Sequence, residues 1–329
     1  MSNFDVIGIG NAIVDVISPA EDMFLDQMGI EKGIMQLVEK DRAEVLYAAM
    51  RDRVETPGGS VANTIAGLGG LGLTTAFIGK VKDDALGRFY AKGMEDAGTA
   101  FPNAPVQNAD APTSRSMIFV SPDGERSMNT YLGAGADLNS GDVSGDLFGG
   151  SKFLFLEGYL FDKDDGKTAF SEAARLMHAA GGKSGITLSD PFCADRHREG
   201  FQRLIKEDLD FTLGNEDEWK TLYETDDLDA ALAQGSAACD TIACTRSGDP
   251  ILLIRNGERV EVPVTSITPV DATGAGDQFA TGFIYGMATG QPLDVCGRMG
   301  SVAAAEVIRH IGPRPQADLK VLFKDAGLI

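Results

Sequence analysis

Residues 4–10 read Phe4-Asp5-Val6-Ile7-Gly8-Ile9-Gly10, an apolar, β-branched run that ends in glycines and is typical of a buried strand. Similar runs recur along the chain, separated by longer patterns with helical spacing such as Lys167–Ala180 and Asp277–Thr289. The other candidate strands are Thr74–Val81, Ser116–Val120, Phe153–Leu156, Gly185–Ser189, Phe211–Gly214, Thr241–Thr245 and Ile251–Arg255. This alternation predicts an α/β fold with a parallel sheet, helices on both faces, and ligands at the carboxyl ends of the strands.

Two segments, at about residues 13–38 and 113–132, break the alternation because they look extended and carry turn residues. They are expected either to pair as a small β lid over an active site or to be edge strands, and periodicity does not separate these two readings. No internal repeat or Pro-, Gly- or Ser-rich linker divides the sequence. We therefore expect residues 1–329 to form one α/β domain, on which the two extended segments form a discontinuous β lid if the first reading holds.

The composition excludes several classes of function. The formal net charge of −20 repels nucleic-acid backbones and anionic membrane surfaces, so neither is an expected partner. No basic leader or long apolar run occurs, and we expect a cytoplasmic protein. The four cysteines form no CxxC pair and the three histidines have no metal-ligand spacing, which argues against structural zinc. Monomer and homodimer both stay open.

The strongest site signal is Val270-Asp271-Ala272-Thr273-Gly274-Ala275-Gly276-Asp277, which leads directly into an amphipathic helical pattern. Free N–H groups and the helix dipole make such a helix start a site for a phosphate or a developing oxyanion. An aspartate is also favoured in any first helical turn. The combination of Thr273, the Gly-Ala-Gly turn and Asp277 favours phosphate chemistry over that simpler explanation.

A second glycine-rich turn, Gly58-Gly59-Ser60-Val61-Ala62-Asn63, precedes the predicted helix Val61–Leu68. Paired glycines allow the backbone to approach a ligand, and Asn63 on the first helical turn is suited to bind hydroxyls. For Ser60 alone, helix capping is an equally good explanation.

Asn11 and Asp15 form a third candidate pair, since positions 11, 13 and 15 share a face if this stretch is extended. Two polar side chains on one face suit vicinal hydroxyls. A carboxylate among apolar neighbours also needs partners, which a sugar diol or the nearby backbone can supply.

Two weaker signals follow predicted strands. Asn215 and Glu218 stand at i, i+3, where they are placed to hold a hydrated Mg²⁺ ion through water, although a short acidic run is more often a solvated helix start. Thr245-Arg246-Ser247-Gly248 is a candidate contact for nucleotide phosphates or a plain turn. Gly67–Gly72 matches G-x-G-x-x-G but closes a helix, the reverse of a dinucleotide-binding turn.

At the two glycine-rich turns the chain resembles the PfkB/ribokinase family of carbohydrate kinases, whose signatures are Gly-Gly-x-x-x-Asn and Asp-x-x-Gly-Ala-Gly-Asp. The resemblance covers nearly the whole chain. It implies a Rossmann-like three-layer α/β/α core with a small β-sheet lid, and ATP-dependent phosphorylation of a sugar hydroxymethyl group. Within the family, Gly10–Asp15, Gly214–Glu216 and Val307–Arg309 are similar to the branch that phosphorylates adenosine at its 5′-hydroxyl.

The resemblance also implies roles for the candidate residues. Asp277 would be the base, Gly274, Ala275 and Gly276 the anion hole, and Arg126 in the lid a neutraliser of the transferring charge. Asn11, Asp15, Gly58, Gly59 and Asn63 would bind the acceptor, while Asn215, Glu218, Thr245, Arg246, Gly248 and Thr273 would serve ATP and Mg²⁺. Tyr159, Leu160 and Phe161 are candidates to contact a purine.

The expected ligands are ATP, Mg²⁺ and a nucleoside or sugar, with a requirement for a monovalent cation such as K⁺ left open. A ribokinase-like or fructokinase-like sugar kinase is the alternative to a nucleoside kinase. A non-catalytic sensor of the same fold and an NAD-dependent dehydrogenase are weaker hypotheses, because Asp277 keeps its glycine-rich turn and the only dinucleotide-type glycine pattern lies in the wrong context.

Overall fold

A computed structural model describes residues 3–265 and 267–329. Within them the strands are β1 (Val6–Ile9), β2 (Ile13–Pro19), β3 (Met35–Leu37), β4 (Val54–Gly58), β5 (Thr75–Ile78), β6 (Thr99–Ala100), β7 (Ser114–Val120), β8 (Arg126–Tyr131), β9 (Phe153–Glu157), β10 (Lys183–Thr187), β11 (Phe211–Asn215), β12 (Thr241–Arg246), β13 (Asp249–Arg255) and β14 (Glu258–Val262). The α-helices are α1 (Asp22–Met28), α2 (Lys40–Ala49), α3 (Ser60–Gly70), α4 (Ala85–Asp96), α5 (Asp164–Ala179), α6 (Pro191–Arg196), α7 (Arg198–Asp208), α8 (Glu216–Leu222), α9 (Leu228–Ala238), α10 (Ala275–Ala288), α11 (Leu293–Val307) and α12 (Leu319–Asp325).

The large sheet has nine strands in the order β14-β13-β12-β11-β10-β9-β1-β5-β6. Pairing is parallel from β12 through to β6, and only β13 and β14 join in antiparallel fashion. The carboxyl ends of the parallel strands therefore meet at one edge, which we call the ligand edge. As the alternation in the sequence predicts, candidate side chains that follow β1, β9, β11 and β12 are brought to this edge.

Both faces of the large sheet are buried, which explains its continuous apolar strands. Side chains of β9 alternate between two cores: Phe153 and Phe155 pack with α10 and α11 residues such as Phe283, while Leu154 and Leu156 pack with α5 residues such as Phe170. Helices on both faces of one sheet make the three-layer α/β/α arrangement, so the predicted fold class is confirmed.

A second, five-stranded sheet has the order β3-β8-β7-β2-β4, and we call it the small sheet. Its strands come from the segments expected to be extended, with one addition, because β4 lies outside them. One face is covered by α1 and α2: Val16 and Phe119 pack with Leu25 and Leu46 in the same core.

The prediction of a wholly extended 13–38 segment is wrong, since α1 occupies its middle. Asp22 lies in the first turn of α1, Leu25 is buried, and Gly29 ends the helix in the left-handed conformation with φ of 59°. An acidic first turn, a buried leucine and a left-handed glycine are ordinary features of a short helix, and the alternation of polar and apolar residues over a short window does not reveal them.

None of the helices in residues 3–265 and 267–329 has the length and apolar character needed to cross a membrane.

Candidate active site

Asp277 lies in the first turn of α10 and is held by two side chains of α3. Ser60 Oγ donates a hydrogen bond to Asp277 Oδ1 at 2.6 Å, and Asn63 Nδ2 donates to Oδ2 at 3.0 Å. Thr64 Oγ1 also donates to the backbone carbonyl of Asp277 at 3.0 Å, which fixes the two helices at this point. The carboxylate is thereby locked in one orientation at the ligand edge. The capping explanation for Ser60 is wrong, because the N-cap of α3 is Gly59.

Burial raises the pKa of Asp277 to about 6. The hydrogen bonds from Ser60 and Asn63 and the positive charge of Arg314 lower the pKa, but they do not cancel the effect of burial. A carboxylate with a pKa near 6 is still ionised at neutral pH, yet it is a stronger base than an exposed aspartate. This is the protonation behaviour that a general base needs.

The Gly-Gly turn is required by close packing at the junction of β4 and α3. Gly59 has φ of 101°, and a Cβ there would overlap the backbone carbonyl of Asn11. A Cβ on Gly58 would overlap the carboxylate of Asp15. The two glycines therefore let the start of α3 approach the connection that carries Asn11 and the strand that carries Asp15.

Glu157, which the sequence reasoning missed, joins the start of α3 to the connection that carries Asn11. It ends β9, is 1% exposed, and its Oε1 accepts hydrogen bonds from Asn11 Nδ2 (2.8 Å) and Asn11 N–H (3.2 Å). Its Oε2 accepts from the N–H of Val61 in the first turn of α3 at 3.1 Å. Burial raises the pKa of Glu157 to about 7, while the hydrogen bonds from Asn11 and Val61 lower it and the charge of Asp277 raises it further. In the sequence, this site residue could have been found as a carboxylate that directly follows the wholly apolar run Phe153–Leu156.

Asn11 and Asp15 do not share one strand face as expected. Asn11 lies in the connection before β2 and turns to Glu157, whereas Asp15 lies within β2. Among the described residues, no hydrogen-bond donor reaches the Asp15 carboxylate, and burial raises its pKa to about 7 although the charges of Arg126 and Arg314 lower it. Asp15 is thus a partly buried acceptor that the protein itself does not satisfy.

Arg126 joins the small sheet to the glycine-rich turn before α10. Its Nη2 lies 2.8 Å from Asp271 Oδ2, as an ion pair without hydrogen-bond alignment, and Nη1 donates to Thr273 Oγ1 at 3.3 Å. Burial tends to raise the pKa of Asp271, but N–H groups of Gly312 and Thr273 and the charge of Arg126 hold it below the ordinary value. The lid arginine is therefore close to the predicted anion hole.

The anion hole itself has the expected form of a helix start. Gly274 is the N-cap of α10 with φ of 82°, a left-handed conformation that suits glycine, and the first intrahelical bond runs from the Gln278 N–H to its carbonyl. Apart from its chain neighbours and the nearby backbone of α10, no described atom lies within 4 Å of the place that a Cβ on Gly276 would occupy. The Ala275 N–H donates to the Ala272 carbonyl at 3.2 Å, so among the described residues the N–H groups of Gly276 and Asp277 are the ones in this first turn without a backbone partner.

Asn215 and Glu218 form a reciprocal capping box at the start of α8. Asn215 Oδ1 accepts from the Glu218 N–H at 2.9 Å, and Glu218 accepts from the Asn215 N–H at 2.9 Å and from Nδ2 at 2.7 Å. Asn215 is therefore the N-cap, and Glu218 is buried. Burial raises the pKa of Glu218 to about 7, with the Asn215 N–H lowering it and the charges of Asp190 and Asp217 raising it.

The described residues contain no group of three or more His, Cys, Asp or Glu side chains able to enclose a metal ion. Mg²⁺ commonly keeps several waters and takes its remaining ligands from substrate phosphates. Both Glu218 oxygens accept hydrogen bonds from Asn215, so this carboxylate can contact a hydrated ion only through lone pairs outside the capping box. Arg246 is ion-paired to Glu216 at 3.1 Å, beside the turn of Ser247 and Gly248.

The aromatic contact proposed from the sequence is partly wrong. Phe161 is buried and stacks on Phe201 with ring centroids 4.5 Å apart, so it is not available to a purine. Leu160 is also buried. Tyr159 is partly buried and donates a hydrogen bond to the Ser189 carbonyl at 3.3 Å. Phe192, in α6 directly after β10, is instead 81% exposed at the ligand edge.

The face of the small sheet opposite to α1 and α2 carries Asp15 and Arg126 together with exposed apolar side chains. Cross-strand pairing places Leu37 in the row of Asp15 and Met35 in the row of Ile17 and Met128, all on this face. Leu37 is 51% exposed. Because Arg126 on the same face reaches Asp271, the apolar rows face the candidate active site.

A buried carboxylate held beside a helix N-terminus, at the ligand edge of a parallel sheet and under a second sheet, is an arrangement that suits an α/β small-molecule kinase. The sequence profile of "pfkB family carbohydrate kinase" matches residues 31–319, so the chain belongs to that family.

Solved structures and curated relatives agree with this family. The chain is similar to a structure described as adenosine kinase from Sinorhizobium meliloti, with 44% identity, a TM-score of 0.90, and coverage of 99% of this chain and 100% of that one. It is also similar to a probable sugar kinase protein from Rhizobium etli CFN 42, with 43% identity, a TM-score of 0.92 and full coverage of both chains. Adenosine kinase 1 from Arabidopsis thaliana is 26% identical over 342 residues, covering 94% of this chain and 96% of the relative.

Proposed function

We propose that this kinase phosphorylates the 5′-hydroxyl of a nucleoside, adenosine, with ATP as the phosphoryl donor. The observation that carries the proposal is the Asp277 carboxylate, which Ser60 and Asn63 fix beside the N-terminal turn of α10. In one step the hydroxyl oxygen bonds to the γ-phosphorus, the bond to the ADP oxygen breaks, and Asp277 accepts the hydroxyl proton.

Other residues support that step by position and charge. The N–H groups of Gly276 and Asp277, which have no described backbone partner, would stabilise the γ-phosphoryl oxygens, and Arg126 lies within reach of the same turn. We assign nucleotide contacts to Thr273, Asn215, Thr245, Arg246 and Gly248 as part of the proposal. Magnesium, when bound with ATP, supplies neutralisation of phosphate charge, with Glu218 as its candidate partner through water. A K⁺ requirement stays an open part of the proposal.

Asp15 supports an acceptor with a diol. Its carboxylate is the partly buried acceptor near Asp277 that no described donor satisfies. A ribose 2′,3′-diol offers two donors to this carboxylate, and the Asn63 amide keeps one N–H and one lone pair beyond its bonds to Asp277 and Arg314. Binding a diol would thus satisfy a group that is otherwise costly to bury.

The apolar surface supports a nucleoside over a bare sugar. Met35 and Leu37 on the small sheet and Phe192 in α6 are exposed apolar side chains, and the half-buried Met128 lies beside Met35. A flat purine would bury this area, and the exposed ring of Phe192 is suited to stack on it. A free sugar would leave it in contact with water.

The acceptor is tested by measuring kcat/KM with Mg²⁺-ATP for adenosine, guanosine, ribose and fructose, with ADP release as the signal. Adenosine should have the highest value, because only a nucleoside uses both the diol-binding carboxylate and the apolar surface. A higher kcat/KM for ribose or fructose than for every nucleoside would replace this proposal with the sugar-kinase alternative, in which Asp277 keeps its role.

Glu218→Gln is expected to raise the Mg²⁺ concentration at half-maximal rate by about tenfold, as loss of an outer-sphere metal partner does. The measurement is initial rate against free Mg²⁺ at saturating ATP and acceptor. Asp217→Asn is the matched control, because Asp217 is the exposed neighbour in the same helical turn. If both variants follow the wild-type Mg²⁺ curve, Glu218 serves only as a helix cap.

A further inference from the structure

Arg314, in the loop between α11 and α12, contacts the side chain that holds Asp277. Arg314 Nε donates a hydrogen bond to Asn63 Oδ1 at 3.2 Å, and Asn63 Nδ2 in turn donates to Asp277 Oδ2 at 3.0 Å. We propose that Arg314 is a positioning residue that orients the Asn63 amide and keeps the Asp277 carboxylate charged. This inference rests on the proposed role of Asp277 as the base.

The orientation of the Asn63 amide follows from hydrogen-bond chemistry. A guanidinium group has only donors and an ionised carboxylate has only acceptors. Asn63 lies between one of each, so its oxygen must face Arg314 and its NH₂ must face Asp277. If Arg314 were absent, the amide oxygen would lose its donor and only the bond to Asp277 would hold the amide in place. Arg314 therefore fixes the amide from the side opposite to the base.

The loop holds Arg314 firmly against the catalytic turn. The Gly312 N–H donates to Asp271 Oδ2 at 2.9 Å, and the buried Gln278 Nε2 donates to the Pro313 carbonyl at 3.0 Å. Pro313 also packs on Gly274, where a Cβ would lie within 2.7 Å of its carbonyl oxygen. The residues before Arg314 are thus attached to both ends of the glycine-rich turn, which places the guanidinium beside α3.

The positive charge of Arg314 partly offsets the repulsion among the carboxylates that surround Asp277. Asp277 faces Asp15 from β2 and Glu157 from β9, and both interact with it unfavourably. Arg314 is the cation that lowers the pKa of Asp277, and it also lowers that of Asp15, as does Arg126 from β8. Burial lowers the pKa of Arg314 itself, while Tyr90 on α4 and the carboxylates Asp15 and Asp277 raise it. An arginine remains charged in such surroundings.

The sign of the expected pH effect follows. A base is active when deprotonated, so wild-type kcat/KM should fall as pH drops through about 6, the pKa of Asp277. Removing a neighbouring positive charge raises a carboxyl pKa. In Arg314→Gln the acidic limb of the profile should therefore move upward by about 1 pH unit, the low end of the usual effect of an adjacent arginine.

The experiment compares kcat/KM against pH for wild type, Arg314→Gln, Arg314→Lys and Arg309→Gln. In Arg314→Lys the pH at which kcat/KM falls on the acidic side should return towards the wild-type value, because lysine keeps the positive charge. Arg309→Gln removes an exposed arginine from the same loop and should leave the limb unchanged. Thermal unfolding of each variant shows whether it is folded.

A second readout needs no turnover: the ¹³C titration of the Asp277 carboxyl, assigned with Asp277→Asn, in wild type and the two Arg314 variants. A pKa that rises by about 1 unit in Arg314→Gln and returns in Arg314→Lys supports the inference. A folded Arg314→Gln whose carboxyl pKa and acidic limb match wild type overturns it. Failure of the proposed function would look different, since wild type would then lack adenosine turnover whatever the titration gives.

Discussion

Replacing Asp277 by asparagine is expected to lower kcat by about 10² to 10⁴ while KM for ATP and acceptor stays close to wild type. Asparagine keeps the size of the side chain and one of its two oxygens, so it can still accept one of the hydrogen bonds that Ser60 and Asn63 donate to separate oxygens of Asp277. It cannot accept the hydroxyl proton. The loss should therefore fall on the chemical step, and steady-state kinetics at saturating ATP and adenosine separates kcat from KM.

Asp294→Asn is a suitable control, because Asp294 lies in the first turn of the neighbouring helix α11 and is half-exposed. It should have wild-type kcat. If Asp277→Asn also kept wild-type kcat, Asp277 would be no more than a favourable first-turn residue, and the mechanism would be wrong.

Asp15→Ala is expected to raise KM for adenosine by about 10², the effect of losing hydrogen bonds to a charged group, with little change in KM for ATP. The reason is that the Asp15 carboxylate has no described donor of its own and is proposed to bind the ribose diol. Initial rates with each substrate varied in turn give the two KM values.

Comparison with 2′-deoxyadenosine makes the Asp15 test specific. Wild type should strongly prefer adenosine, because the deoxy substrate leaves the carboxylate without one of its donors. Asp15→Ala should lose most of that preference. Equal preference for the ribo substrate in wild type and variant would show that another group reads the 2′-hydroxyl.

Much of the fold was predictable because its signals are local. The apolar runs at β1, β9 and β11 are buried on both faces, and continuous apolar sequence is what such strands require. The helix start at Gly274–Asp277 was likewise predictable from its glycines. The α1 helix was missed because seven residues give less than two turns of periodicity, too little to outweigh the extended pattern around it.

The missed site residues depend on contacts between distant parts of the chain. Ser60 lies 217 residues from Asp277, and Arg314 lies 251 residues from Asn63. Nothing near Arg314 in the sequence marks it, since its role arises only when the loop packs on the catalytic turn. Phe161 was misassigned because an aromatic residue after a strand can face either the ligand edge or the helical layer, and here it packs on Phe201.

The central claim is ATP-dependent phosphorylation of a nucleoside 5′-hydroxyl, and ³¹P NMR of the reaction of Mg²⁺-ATP with adenosine tests it most directly. We predict equal amounts of ADP and a phosphate monoester whose coupling to the two 5′ protons identifies AMP, formed at least about 10² times more slowly by Asp277→Asn. Release of inorganic phosphate without AMP, or a phosphate on another hydroxyl, would contradict the account.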